Sequence, residues 1–201
     1  ASSPSFQLLS SSAPGSLVGA TSTLLSDGTV LLLGGLDASG QLQSLQNLYA
    51  YSSKSSKWSQ TATQSSGNAT LSARQSVFPA PRRDHIAVSL PNQRVFIQGG
   101  ASADLSTVYS DAWILDWSVT PPVWTLLNST GGPGPRFGHS AVAYGRNILI
   151  SFGWAGGNAA PTGLHLFDAT TLTASASSKG SWQGGSWSAT TYTPDPQASS
   201  S

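Results

Sequence analysis

The sequence predicts an all-β protein built from a repeated four-stranded unit. Three observations carry that prediction. Only 8% of the 201 residues are charged and every acid is Asp, so the strong helix formers Lys, Arg and Glu are scarce or missing. Val, Ile, Leu, Thr, Trp and Tyr gather in short runs between Gly, Pro and Ser, the signature of short strands joined by turns. One pattern then recurs along the chain, which marks a structural unit rather than an isolated catalytic motif.

The unit opens with Arg82-x-x-His85 and again with Arg136-x-x-His139, while Leu17 and Ala20 stand in these places in a degenerate first copy. Ala20, His85 and His139 each precede a Gly by fourteen residues, at Gly34, Gly99 and Gly153. The first strand is a short apolar run, as in "IAVSL" and "SAVAY". A turn follows at Ser26-Asp27-Gly28, Pro91-Asn92-Gln93 or Gly145-Arg146-Asn147, each rich in turn formers. The second strand, as in "TVLLLGG", ends on Gly34-Gly35 and Gly99-Gly100, and Gly153-Trp154 reads as the third pair with Trp154 in the second place. A Gly pair there permits positive φ and close approach of a neighbouring backbone.

After the pair come loops of variable length, 36–46, 101–110 and 155–162. The runs "NLYAYS", "DAWILD" and "GLHLFD" form the third strand. The outer fourth strand carries Trp58, Trp124, and Trp182 or Trp187. Near-continuous apolar character places Val30, Leu31, Leu33, Val95, Ile97, Ile148 and Ile150 in the core, and Trp58 and Trp124 between adjacent sheets. Because they recur, Arg82, His85, Arg136 and His139 read as architectural, hydrogen-bonding loop carbonyls between units.

These positions resemble the kelch repeat, whose units are the four-stranded blades of a β-propeller. The resemblance rests on the two Arg-x-x-His entries, Gly34-Gly35, Gly99-Gly100, the Tyr49/Trp113/His165 position, and Trp58 and Trp124. It implies blades at residues 15–66, 67–130 and 131–193, an outer strand of a preceding blade at 1–14, and a flexible tail at 194–201. Three blades fall short of the usual four to eight. The implied architecture is therefore part of a six- or seven-bladed ring, completed by the rest of a longer polypeptide or by another copy of the chain. The wording "LLSDGTVLLLGG" is also similar to the kelch-type blades of galactose oxidase and related secreted fungal proteins, which implies a fungal setting.

No catalytic constellation emerges. The chain has no Cys, which excludes disulfides, thiolate metal sites and the Tyr–Cys cross-link of copper-radical oxidases. His85 and His139 sit in equivalent places of different units and His165 on a third strand, without the short spacing of a zinc site. No Gly-x-Ser-x-Gly elbow is present, and "SWQGGSW" reads as a Gly-rich turn. Asp84, Asp104, Asp111 and Asp116 read as solvated loop acids. Neither cofactor nor metal is expected.

A net charge of +1 gives no electrostatic reason for a nucleic-acid or anionic-membrane partner. No segment approaches the roughly 20 apolar residues of a membrane span. The sequons Asn68-Ala69-Thr70 and Asn128-Ser129-Thr130 make Asn68 and Asn128 candidate glycosylation sites and suggest a secreted or cell-surface protein. The start "ASSPSFQ" is not a signal peptide and Met is absent, as in a processed or excised piece. The expected function is a non-catalytic extracellular interaction domain that binds protein or glycan through its loops. The alternatives are part of a secreted carbohydrate or alcohol oxidase with its catalytic residues outside this chain, and a self-assembling surface protein.

Overall fold

Each apolar run becomes a strand that pairs with its neighbours in sequence. The structure is a computed structural model that describes residues 14–66, 78–127, 130–161, 163–176 and 178–190. All regular structure among them is β. The first sheet is β1 (Thr21–Leu24), β2 (Thr29–Leu33), β3 (Asn47–Ser52) and β4 (Lys57–Ala62), antiparallel and in chain order. Next comes β5 (Gln64–Ser65), which does not extend that sheet. It pairs in parallel with the outer strand of the second sheet, so the sequence reading that left these residues in the first unit is corrected. The second sheet itself is β6 (Ile86–Leu90), β7 (Arg94–Gln98), β8 (Ala112–Asp116) and β9 (Val123–Leu126). In the third, β10 (Ser140–Tyr144), β11 (Asn147–Ser151) and β12 (Leu164–Asp168) are completed by β15 (Ser186–Thr190). The intervening β13 (Thr173–Ala174) and β14 (Trp182–Gln183) form a separate hairpin.

This is the all-β, blade-like architecture that the resemblance implies. The sheets stack face to face, and strand alternation decides which residues enter each interface. Leu31, Leu33, Leu48 and Ala50 of the first sheet meet Val95, Ile97, Trp113, Leu115 and Trp124 of the second. On the other side of the second sheet, Ile86, Val88, Phe96 and Ile114 meet Ile148, Ile150 and Phe167 of the third. Phe96 and Phe167 stack at 4.8 Å, and Trp187 closes on Phe167 at 4.9 Å. The middle sheet is therefore covered on both faces, which explains why β7 and β8 are buried at every position.

Two core expectations need correction. Val30 and Trp58 are only half-buried. Val30 pairs across the sheet with Tyr51, and Tyr51 with Trp58, so all three lie on the face turned away from the second sheet. Trp58 stacks on Tyr51 at 5.3 Å instead of filling a gap between sheets. Trp124 does fill one: it is fully buried and donates its indole N–H to the Leu45 carbonyl at 2.8 Å. In the third sheet Trp187 occupies the matching place, whereas Trp182 lies on the small hairpin. There it stacks under the Arg94 guanidinium at 4.1 Å and donates to Asp116 at 2.9 Å.

The third unit also shifts in register. Isolated bridges pair Val18 with Leu36, Arg83 with Ala101 and Phe137 with Trp154. Gly153 therefore corresponds to the second Gly of the other pairs, Gly35 and Gly100, and Trp154 lies one place beyond. Phe152 holds the first-glycine place and keeps its left-handed φ of 65°, beside 61° at Gly34 and 68° at Gly99. The cause is the hairpin. Residues 145–146 alone join β10 to β11, one fewer than the 91–93 turn of the second sheet, so counting back from Gly153 slips by one.

Candidate functional site

The loops and the Arg-x-x-His entries meet at one rim of the stack. Gly19, Asp84 and Gly138 hold equivalent places there with φ of 69°, 56° and 60°. The Asp84 N–H donates to the Gly19 carbonyl, and the Gly138 N–H to the Asp84 carbonyl, each at 2.8 Å. A second series crosses the same joints: the Gly35 N–H donates to the Arg82 carbonyl at 2.9 Å and the Gly100 N–H to the Arg136 carbonyl at 2.8 Å. The first Gly of each pair has a steric reason to be Gly. A Cβ on Gly34 would lie 2.3 Å from the Arg82 carbonyl oxygen, and one on Gly99 2.5 Å from that of Arg136.

Arg82 is fully buried and makes its side-chain bonds within its own unit. Its guanidinium donates to both Asp111 oxygens at 2.6 and 2.8 Å, to the Gly99 carbonyl at 2.9 Å and to the Ala80 carbonyl at 2.9 Å. The Tyr109 ring stacks on it at 4.3 Å. Burial pushes the Asp111 carboxyl pKa up, but the Arg82 hydrogen bonds and charge, with the Trp113 indole N–H, outweigh this and hold it below 3.8. Asp111 is thus a structural partner rather than a solvated acid, and Asp116 is likewise buried. The expectation that the Arg side chains bridge units is corrected for Arg82. Its backbone carbonyl makes the bridge.

Arg136 is equally buried but has no carboxylate. Its guanidinium donates to the Phe152 carbonyl at 2.9 Å and to that of Pro133, and its Nε–H is unpaired. Gly163 stands immediately before β12, where Asp111 stands before β8, so the third unit supplies no counter-ion at that place. His85 does bridge units, its Nε2 lying 3.0 Å from the Thr21 hydroxyl. Burial first, then the Arg82 and His139 charges, lower its pKa to about 3. Burial and Arg136 lower that of His139 to about 4. Both imidazoles are neutral at pH 7.

Two of the loops between second and third strands are braced by their own acids. Asp37 accepts from the Ser39 hydroxyl and from the Ser39 and Gln41 amides, which lowers its pKa. Asp104 accepts from the Ser102 and Ser106 hydroxyls, which lower its pKa to about 2. The second loop presents Leu105 to solvent, and Val18 and Trp154 are exposed at the same rim. Such a surface can grip another macromolecule.

The three histidines do not converge. Among the described residues, no group of three or more His, Cys, Asp or Glu could hold a metal ion, and no helix is long and apolar enough to cross a membrane. Asp84 pairs with Arg83 at 2.7 Å. Asn68 and Asn128, residues 1–13 of the expected preceding strand and the 194–201 tail lie outside the described residues. Sequence reasoning missed the Asp111–Arg82 pair and the Phe152 substitution. The first had a signal in the Asp that opens "DAWILD" in one unit only.

Residues 19–194 match the KLHDC2/KLHL20/DRC7 Kelch-repeats domain. Adagio-like protein 3 of Oryza sativa subsp. japonica is 36% identical over 150 residues, 71% of this chain and 22% of that protein. Adagio protein 3 of Arabidopsis thaliana is 32% identical over 151 residues, covering 72% and 23%. A serine/threonine-protein phosphatase of Arabidopsis thaliana is 38% identical over 77 residues, 37% of this chain and 7% of that protein. The chain thus spans about a fifth of the length of the Adagio relatives. These relatives are plant proteins, where the first-unit wording implied a fungal setting.

Proposed function

The chain belongs to the kelch-repeat family, and from that premise we propose that it is a non-catalytic interaction domain whose loop-bearing rim docks a protein partner. One observation carries the reading: three loops stand in equivalent blade positions, two of them braced by internal Asp–Ser bonds, and the second loop exposes Leu105 at a rim where Val18 and Trp154 are also exposed. Scaffolded loops are where binding residues concentrate, and pre-fixed loops lose little entropy on docking. A protein partner suits Leu105 and Trp154 better than a glycan would, because Leu105 offers apolar area without hydrogen-bonding groups.

The test is affinity capture with Leu105→Asn. Leu105 has a φ of 62°, which Asn tolerates better than most residues, so the loop keeps its shape while losing its apolar tip. Captured protein should fall at least about tenfold, some 1.4 kcal/mol, with an unchanged melting temperature. Equal capture by both forms would refute the rim assignment, and selective binding on a glycan array would replace the protein partner with a glycan. A secreted or cell-surface setting rests on the sequons at Asn68 and Asn128, and a mass shift on glycosidase treatment of the natural protein tests it. Membership of a longer enzyme is the second reading, favoured by the phosphatase relative, in which this chain matches only 7% of the length.

A further inference from the structure

The two outermost sheet faces are apolar, and no described residue covers them. The first sheet turns Leu24, 63% exposed, outward with Val30, Leu32, Tyr49 and Trp58. The third turns out Val142, Tyr144, Leu149, Leu164 and Leu166. Apolar faces of this kind need a cover, and the rim bonds indicate which. Each internal joint uses the same two backbone bonds, described above. At the free edge of the third sheet the Gly153 N–H and the Gly138 carbonyl have no partner among the described residues. At the free edge of the first, the Leu17 carbonyl and the Gly19 N–H hold the matching places, also unpaired. Donor at one end faces acceptor at the other, the same polarity as across the internal joints.

Their side chains depart from the internal joint in a matched way. Phe152, 69% exposed, stands where both other units have Gly. In the internal joints a Cβ there would approach the Cε1 of His85 at 2.9 Å or of His139 at 2.8 Å. The first sheet has Ala20 in the His place and Leu17 in the Arg place. Where the second unit packs Arg82 against Tyr109 and Asp111, the first has an open cleft of about 380 Å³ lined by residues that include Leu17, Asp37, Gln43 and Tyr49. A large residue at one edge thus corresponds to vacated space at the other. The carbonyl that crowds a Cβ remains, so this joint must stand wider at the rim than the internal ones, with room between the sheets for the phenyl ring.

We propose that two copies of this chain join head to tail, the third sheet of each against the first sheet of the other, with Phe152 seated over Ala20 and the Leu17 cleft. Two such joints related by a two-fold axis close a ring of six blades, within the usual range for propellers. The inference deepens the reading of the sheets as propeller blades and does not depend on what the loops bind. Native mass spectrometry of the full chain at micromolar concentration tests it. The wild type should give a particle of twice the 20.7 kDa chain mass. Ala20→His puts an imidazole against Phe152 and should weaken the dimer at least about tenfold. Adding Phe152→Gly restores the pairing of the internal joints and should restore the dimer. Circular dichroism of each form reports whether the sheets persist. A folded wild-type monomer, a particle of any other size, or a dimer indifferent to Ala20→His would overturn the proposal. Capture by Leu105→Asn is scored separately, because Leu105 belongs to the middle unit, away from both joints.

Discussion

Replacing Asp111 by Asn keeps the side-chain shape and removes the charge that compensates a fully buried guanidinium. The wild-type pair is bidentate at 2.6 and 2.8 Å, and the same carboxylate accepts the Trp113 indole at 2.6 Å. Removing one partner of a buried pair costs about 3–5 kcal/mol, whereas exposed pairs contribute about 0–1 kcal/mol. The Asp111 side chain is 29% exposed and that of Arg82 0%, so water reaches one partner only and the expected loss is about 2–3 kcal/mol. In a chain of this size each kcal/mol moves the melting temperature by about 2–4 °C, giving a fall of about 4–12 °C by calorimetry. Acid adds a second readout. The folded Asp111 carboxyl titrates below its unfolded value of 3.8, so its contribution is complete above that pH and disappears as pH falls through the lower folded value. The stability gap between wild type and Asp111→Asn should narrow below pH 3.8. A loss under about 1 kcal/mol at pH 7 would place the pair among solvated ones and refute the argument.

Four further outcomes follow from the same geometry. Ile97→Ala, at a fully buried site between the first two sheets, should cost about 2–5 kcal/mol in urea denaturation. Gly99→Ala places a Cβ 2.5 Å from the Arg136 carbonyl at a φ of 68°; unfolding should show at least about 1–3 kcal/mol of lost stability. Gly163→Asp offers Arg136 the carboxylate that its counterpart has, and denaturation should show a gain of about 1 kcal/mol. His139, with its pKa lowered from 6.5 to about 4, is neutral in the fold while the unfolded chain protonates below pH 6.5. Stability therefore falls as pH drops from 6.5 towards 4, and His139→Gln should lose less across that window.

Periodicity made the blades legible in the sequence, because apolar runs and turns depend on neighbours a few residues away. Leu31, Val95, Ile97, Ile148 and Ile150 are all at 0% exposure, as their apolar runs implied. What could not be read was which face of each strand meets which sheet. Val30 and Leu31 are adjacent and equally apolar, yet only Leu31 has a sheet to meet. Trp58 and Trp124 carry the same repeat position and end in different surroundings for the same reason. The slip at Gly153 came from a turn one residue shorter, and a motif count carries no record of chain geometry. At the rim, the recurrence of Arg82 and Arg136 was visible but not their difference, since that depends on Asp111 and Gly163 some 27 to 29 positions further along the chain.

The repeat positions are therefore properties of joints more than of blades. Gly34 and Gly99 are small because the following sheet brings an Arg carbonyl and a His ring onto them. Trp124 is buried because the preceding sheet supplies Leu45 and the face around it. The Arg, His and first-Gly places are kept where a unit has the neighbour that they face, whereas Trp58 is kept in the first unit with no preceding sheet among the described residues. The middle unit, flanked on both sides, has the whole set: Arg82, His85, Gly99, Gly100, Asp111 and Trp124. The first unit keeps Gly34, which faces the second sheet, and has lost Arg and His, which face away from it. The third keeps Arg136 and His139, which face the second sheet, and has lost the first Gly, which faces away. The Arg, His and first-Gly departures thus fall on the two free edges, while the Asp place departs in the third unit beside the retained Arg136. Independent drift in two weak repeats would not sort itself by direction. A joint of different shape, shared between those two edges, would produce this pattern.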